Sequence, residues 1–84
     1  MKKVTYNVAW LLRQLSAKND KGYEKTLVAD LSGISRTTIT NITNEPSKQS
    51  KRTDLETVGK LLSFFESEGM PITIADLFSV ERLP

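Results

Sequence analysis

The sequence predicts an all-α fold, a compact bundle of about five short helices. Apolar residues recur at helical spacing in several segments along the chain. Residues that start or stop helices, such as Ser35, Gly33 and Gly69, separate these segments. With 84 residues, 38% of them hydrophobic and 26% charged, the chain supports one small folded domain with one core. We therefore expect a single domain over 1–84, with 79–84 as a C-terminal tail.

The central stretch, residues 25–43, predicts two short helices joined by a tight turn, which is a helix-turn-helix. Gly33 follows the last turn of the first helix, where the chain must reverse with a positive φ. Ser35 is a good N-cap for the second helix. In that second helix Ile39 and Ile42 are spaced to face the first helix, and the other residues are polar.

The first segment predicts a helix from Thr5 to about Ala17. Its apolar residues fall on one face, and they are Val8, Leu11, Leu12 and Leu15. Trp10 lies off this stripe, so packing at the edge of the core is favoured over a contact with a partner. The following connection, 18–22, has the composition of a loop.

The last third of the chain predicts two more helices. Thr53 and Glu56 have the spacing of a capping box for a fourth helix. We expect its buried face to comprise five residues, and they are Leu55, Val58, Leu61, Leu62 and Phe65. Gly59 allows close contact with another helix, and Gly69 with Pro71 ends the element. Thr73 caps a short fifth helix, Ile74 to Phe78.

These residues resemble a known signature. The phrase Ala-Asp-Leu-Ser-Gly-Ile-Ser-Arg-Thr-Thr-Ile, with Ile42 after it, is similar to the helix-turn-helix of phage repressor and Cro proteins, the lambda-repressor-like or XRE family. The resemblance extends to residues 55–62 and 72–78, with two longer connections and with glycine at position 59 where alanine is usual. It implies a DNA-binding domain whose recognition helix is 36–43. An ordinary αα-hairpin with a glycine turn is the alternative for the central stretch alone.

The resemblance implies that the first turns of the recognition helix contact the bases of DNA. The predicted base contacts are Ser35, Arg36, Thr37, Thr40 and Asn41. A guanidinium can bind guanine O6 and N7 together, so Arg36 is the sharpest candidate. Its structural alternative is a salt bridge to Asp30 or another nearby acid.

A second set of polar residues is expected to contact the sugar-phosphate backbone. The predicted phosphate contacts are Lys25, Thr26, Asn44, Lys48, Lys51 and Arg52. Lys25 occupies a position where the family usually has glutamine, and lysine can contact a phosphate as a point charge. For the loop at 43–52, a solvated surface loop is the alternative.

Charge is distributed as nucleic-acid binding requires. The net charge is +2, but residues 1–60 carry eleven Lys and Arg against six acids, whereas 61–84 carry one against four. With no cysteine and no histidine, we expect no disulfide, no zinc site and no cofactor. No segment suggests a membrane span or a secretory signal, so we expect a cytoplasmic location. No constellation of residues suggests an enzyme.

The leading hypothesis is sequence-specific binding of double-stranded DNA by a transcriptional repressor that acts as a homodimer on a two-fold operator. Exposed apolar residues near the C-terminus are candidates for the dimer interface, and they are Phe64, Phe65, Phe78, Val80 and Leu83. One alternative is an antitoxin that represses its own operon and binds a small toxin protein. Another is a protein-interaction module without DNA binding.

Overall fold

The computed structural model describes residues 2–45, 49 and 54–82. In chain order the elements are β1 (Lys2–Tyr6), α1 (Val8–Asn19), α2 (Lys25–Ser32), α3 (Arg36–Ile42), α4 (Leu55–Ser67), α5 (Ile74–Leu77) and β2 (Phe78–Arg82). The chain forms a small, mostly helical bundle, as predicted, but it also contains a two-stranded sheet. The all-α prediction is therefore wrong in this respect.

The sheet replaces the expected start of the first helix. The strand β1 contains Thr5, and α1 begins at Val8. β-Branched and aromatic residues at positions 4–6 favour a strand, but only when a partner strand is present. That partner is β2, which covers most of the stretch predicted to be a tail. The strands are antiparallel, with Tyr6 opposite Phe78.

The core lies between the sheet and the helices. Among the residues that the structure describes, it contains thirteen buried apolar side chains, namely Tyr6, Val8, Leu11, Leu15, Val28, Ile34, Ile39, Ile42, Val58, Leu61, Phe64, Phe65 and Leu77. Three of the four residues of the predicted α1 stripe are buried, and Leu12 packs against the core while partly exposed. Trp10 is 49% exposed, so about half of its surface faces solvent.

The helix α4 differs from the prediction at its start and in its buried face. Its N-cap is Asp54, whose carboxylate accepts the backbone N–H of Thr57 at 2.6 Å. The predicted cap Thr53 lies outside the described residues. Leu55 is 88% exposed, whereas Phe64 is buried. No atom of a packed neighbour lies within 4 Å of a Cβ built on Gly59, so this glycine does not mark a close helix contact.

The end of α4, the short helix α5 and the α1–α2 connection are each fixed by local contacts. Gly69 has φ of 86° after the end of α4, and Thr73 with Asp76 forms a capping box at α5, which ends one residue earlier than predicted. The lengthened α1–α2 connection is fixed to α4, because Asn19 donates to the Tyr23 hydroxyl and to the Glu68 carbonyl, both at 2.9 Å. None of the helices in the described ranges has both the length and the apolar character needed to cross a membrane.

Candidate nucleic-acid interface

The turn between α2 and α3 has the predicted geometry. Gly33 adopts φ of 75°, and its N–H donates to the Ala29 carbonyl at 3.0 Å. A side chain at this φ would be strained, which explains the glycine. Ser35 is the N-cap of α3, and its hydroxyl accepts the Thr38 N–H at 3.2 Å. The sequence therefore predicted the start of α3 correctly.

The helix α3 is held in place through its apolar side. Ile39 is fully buried and Ile42 is 2% exposed, and Ile34 fills the corner of the turn. Lys60 of α4 donates to the Gly33 carbonyl at 3.2 Å, so the turn is also fixed from the α4 side. The buried isoleucines hold α3 itself, and Lys60 holds the turn that leads into it.

That outer face presents polar side chains to solvent. Arg36, Thr37 and Thr40 are all exposed, and residues 36 and 40 are spaced i, i+4, so they share one side of the helix. Asn41 is half-buried and has an interaction partner within the protein. The Ser35 hydroxyl is occupied by the cap, because it also donates to the Thr38 hydroxyl at 2.9 Å. Among the predicted base contacts, three side chains are therefore the most accessible.

An open groove beside the turn brings predicted base and phosphate contacts together. Thr26, Ser35 and Arg36 line it, and so does Asp30. The ion pairs in the described part of the chain join Lys21 to Glu68 and Lys60 to Glu56, so the alternative role of Arg36 as a partner of Asp30 is not seen there. Arg36 is exposed, and none of the ion pairs between described residues involves its guanidinium.

The predicted phosphate contacts lie at two places. Lys25 and Thr26 are exposed in the first turn of α2, and the Glu24 side chain makes no hydrogen bond that caps that turn. Asn44 is exposed just beyond α3, and its side-chain oxygen accepts the N–H of Glu45 at 2.9 Å. The remaining three, Lys48, Lys51 and Arg52, lie outside the described residues.

The structure adds two residues that the sequence did not single out. Arg13 of α1 is exposed and lines a groove together with Tyr23 and Thr43, the residue just after α3. A cation therefore lies beside the end of the predicted recognition helix. Gln49 of the α3–α4 loop hydrogen-bonds to Tyr6 of β1. Charge at position 13 was visible in the sequence, but its position beside α3 depends on how the helices pack.

The described side chains offer no metal site, since among them no cluster of three or more suitable ligands occurs. Comparison with family models, with curated proteins and with solved structures found no match for this chain. The resemblance to phage repressor and Cro proteins thus remains a prediction from the residues quoted above.

Proposed function

We propose that this chain binds double-stranded DNA in a sequence-specific manner and acts as a cytoplasmic transcriptional repressor of the lambda-repressor-like class. The observation that supports this most is the outer face of α3. A helix held by buried Ile39 and Ile42 keeps Arg36, Thr37 and Thr40 uncovered. Threonine is a poor helix former, so Thr37 and Thr40 on the exposed face of a short helix suggest a use for their side chains.

In the proposed complex α3 enters the major groove, which is about 12 Å wide and admits a helix. Arg36 binds the O6 and N7 atoms of a guanine, and Thr37 and Thr40 contact neighbouring base edges or the thymine methyl group. Lys25, Thr26 and Asn44 contact phosphates and fix the register of the protein on the duplex. Repression follows from occupancy, because the bound protein excludes polymerase or a competing protein.

We propose that two copies bind together on a two-fold operator. Phe64 and Phe65, two candidates for the interface, are buried in the core and are not available. Val80 is 59% exposed and lies opposite Val4, which is 60% exposed, so the sheet carries an uncovered apolar pair. Isologous contacts of this kind are typical of homodimers. Leu83 lies outside the described residues.

Selection of bound sequences from random duplexes tests the proposal. We expect enrichment of a two-fold symmetric motif whose half-sites are centred about 10–10.5 base pairs apart, or a multiple of that distance. We also expect affinity for generic duplex to fall steeply with salt. Failure to enrich any motif, together with no binding of generic duplex at low salt, would rule out the proposed function.

The antitoxin hypothesis has one observation in its favour. Leu55 is 88% exposed and Leu31 is 47% exposed, although leucine is usually buried. Exposed leucines suit a surface that binds another protein. Co-purification from the native cell would test this: a small protein that binds in a fixed ratio and alters operator binding supports the antitoxin role, and its absence favours a plain repressor.

A further inference from the structure

Helix α2 places a negative charge beside the residue that is proposed to bind guanine. Asp30 and Arg36 are the two charged side chains among the described residues that line the groove next to the turn. Both are exposed, and neither takes part in an ion pair between described residues. An acid and a base therefore line the same open groove without neutralising each other.

No contact of Asp30 within the described part of the chain explains its charge. It lies in the last turn of α2, which ends at Ser32, and the C-terminal end of a helix dipole disfavours a negative charge. A cation three or four residues earlier on the helix would offset this effect, but those positions hold Leu27 and Thr26. The acid is thus slightly unfavourable for its own helix, which indicates a use outside the folded chain.

The effect of Asp30 on DNA binding depends on what Arg36 contacts. On a generic duplex Arg36 would contact a phosphate, because phosphates carry non-specific binding. A carboxylate in the same groove repels that phosphate and competes with it for the guanidinium. On the operator the guanidinium would give only some of its five N–H donors to guanine, and a carboxylate beside it could accept another. That ion pair would offset the repulsion from the phosphates.

We propose that Asp30 is a specificity-determining residue, which lowers the affinity for generic DNA and supports Arg36 on the operator. This inference rests on the proposed function. Discrimination is a difference between two affinities, so a repulsive group that acts on the wrong sequences raises it as a new attractive contact would. The competing role is that of a solvated acid, whose removal changes binding to every duplex alike through the net charge of the chain.

The test compares Asp30→Asn with the parent chain and with Glu66→Gln. Each variant loses one negative charge and keeps the shape of its side chain. Glu66 is exposed on α4 and does not line the groove, so it is the matched control. Fluorescence anisotropy gives the affinities for the operator selected from random duplexes and for an unrelated duplex of equal length, at one salt concentration between about 50 and 200 mM.

Two further measurements separate a role in recognition from a role in the fold. Asp30→Asn is repeated in a chain that also carries Arg36→Ala, which completes a double-mutant cycle for the two residues. Urea midpoints report the stability of each variant.

We expect Asp30→Asn to bind the unrelated duplex about threefold to fivefold more tightly, the effect of one unit charge a few ångströms from a phosphate. Its affinity for the operator should stay within about twofold of the parent value, so the ratio of the two affinities falls. Glu66→Gln should leave this ratio unchanged. With Arg36→Ala present, Asp30→Asn should also leave it unchanged, because the guanidinium that distinguishes the two complexes is gone.

The urea midpoint of Asp30→Asn should equal or slightly exceed that of the parent, since the charge opposes the helix dipole. Four outcomes would overturn the inference. They are an affinity for the unrelated duplex that does not rise, a ratio that does not fall, an equal fall of the ratio in the Arg36→Ala chain, and an Asp30→Asn chain that is unfolded.

The proposed function and this inference fail in different ways. A parent chain that selects no operator and binds no generic duplex would contradict both. A parent that selects an operator, together with an Asp30→Asn variant whose ratio matches that of the parent, would contradict the inference alone.

Discussion

The ammonium of Lys60 lies 3.2 Å from the carbonyl oxygen of Gly33 and 3.1 Å from the Glu56 carboxylate. This lysine therefore binds the turn of the helix-turn-helix to α4. The Gly33 carbonyl follows the last turn of α2, where carbonyls lack partners within the helix. Lys60 of α4 thus supplies the hydrogen-bond donor that the Gly33 carbonyl does not find within α2.

We expect Lys60→Met to lower the free energy of unfolding by about 0.5–1.5 kcal/mol, since the hydrogen bond is lost while the apolar stem is kept. Urea denaturation measures this change. Lys18→Met, at an exposed position of α1, is the control and should stay within about 0.5 kcal/mol of the parent. Equal urea midpoints for Lys60→Met and the control would show that the contact does not stabilise the turn.

Arg36→Ala should weaken binding to the selected operator and relax the preference at one base-pair position. A bidentate contact to guanine contributes about 1–3 kcal/mol of discrimination, which corresponds to roughly 5-fold to 150-fold. Repeating the duplex selection with the variant measures this directly. If the selected motif keeps its full preference at every position, Arg36 does not contact a base.

Arg13→Ala should make the salt dependence shallower by about 0.9 in the log–log slope, the value for one phosphate contact. The groove that Arg13 lines reaches Thr43, next to the predicted phosphate contact Asn44. Lys18→Ala is the matched control, because Lys18 is an exposed cation on the same helix whose ammonium lies close to Gly69 of the α4 end. Identical slopes for the two variants would exclude Arg13 from the interface.

Val80→Asp should disrupt the proposed dimer, because a carboxylate would replace an uncovered apolar side chain opposite Val4. We expect the dimer dissociation constant to rise at least about tenfold, or 1.4 kcal/mol. Sedimentation over a concentration series gives this constant, and a duplex with one half-site reports whether DNA contact is retained. Leu55→Asp changes an exposed leucine of α4 in the same way, and an equal effect there would place the interface elsewhere.

Asp54 should contribute to the loss of stability as the pH falls below about 4. Its pKa is lowered, chiefly because the carboxylate accepts the backbone N–H of Thr57. A lowered pKa in the fold means that the stabilisation is present above the unfolded pKa of about 4 and is lost as the pH falls through the folded value. Asp54→Asn keeps a capping side chain that does not titrate in this range.

Urea midpoints measured over a pH series should therefore fall more steeply for the parent than for Asp54→Asn below about pH 4. The other carboxylates are common to both chains, so the difference between the two curves isolates position 54. Parallel curves would mean that the charge of Asp54 contributes nothing to the cap.

Local signals in the sequence were sufficient to predict the helix-turn-helix. Gly33, Ser35 and the Ile39–Ile42 pair each satisfy a requirement set by residues a few positions away, and the structure confirms all three. The start of α1 was wrong because Thr5 pairs with Ser79, a partner that no local pattern reveals. Tertiary pairing outweighed the helical periodicity at that point.

The candidate site was predictable to a similar extent. Exposure of Arg36, Thr37 and Thr40 follows from the apolar spacing of their helix. The contributions of Arg13 and Gln49 could not be derived in this way, because each depends on which remote element lies beside it. Leu55 was predicted to be buried from its helical spacing, but it is exposed. Helical spacing does not ensure that a neighbouring element covers the first turn of a helix.

The sheet joins the earliest and the latest of the described elements, and this sets an order of events during synthesis. The helices α2 and α3 leave the ribosome as neighbours and can pack at once, whereas β1 must wait until β2 has been made. Closing so long a segment of chain is entropically unfavourable, and the strands can pair only once β2 has been made. The strands that close the molecule can therefore pair only after both α2 and α3 have been synthesised.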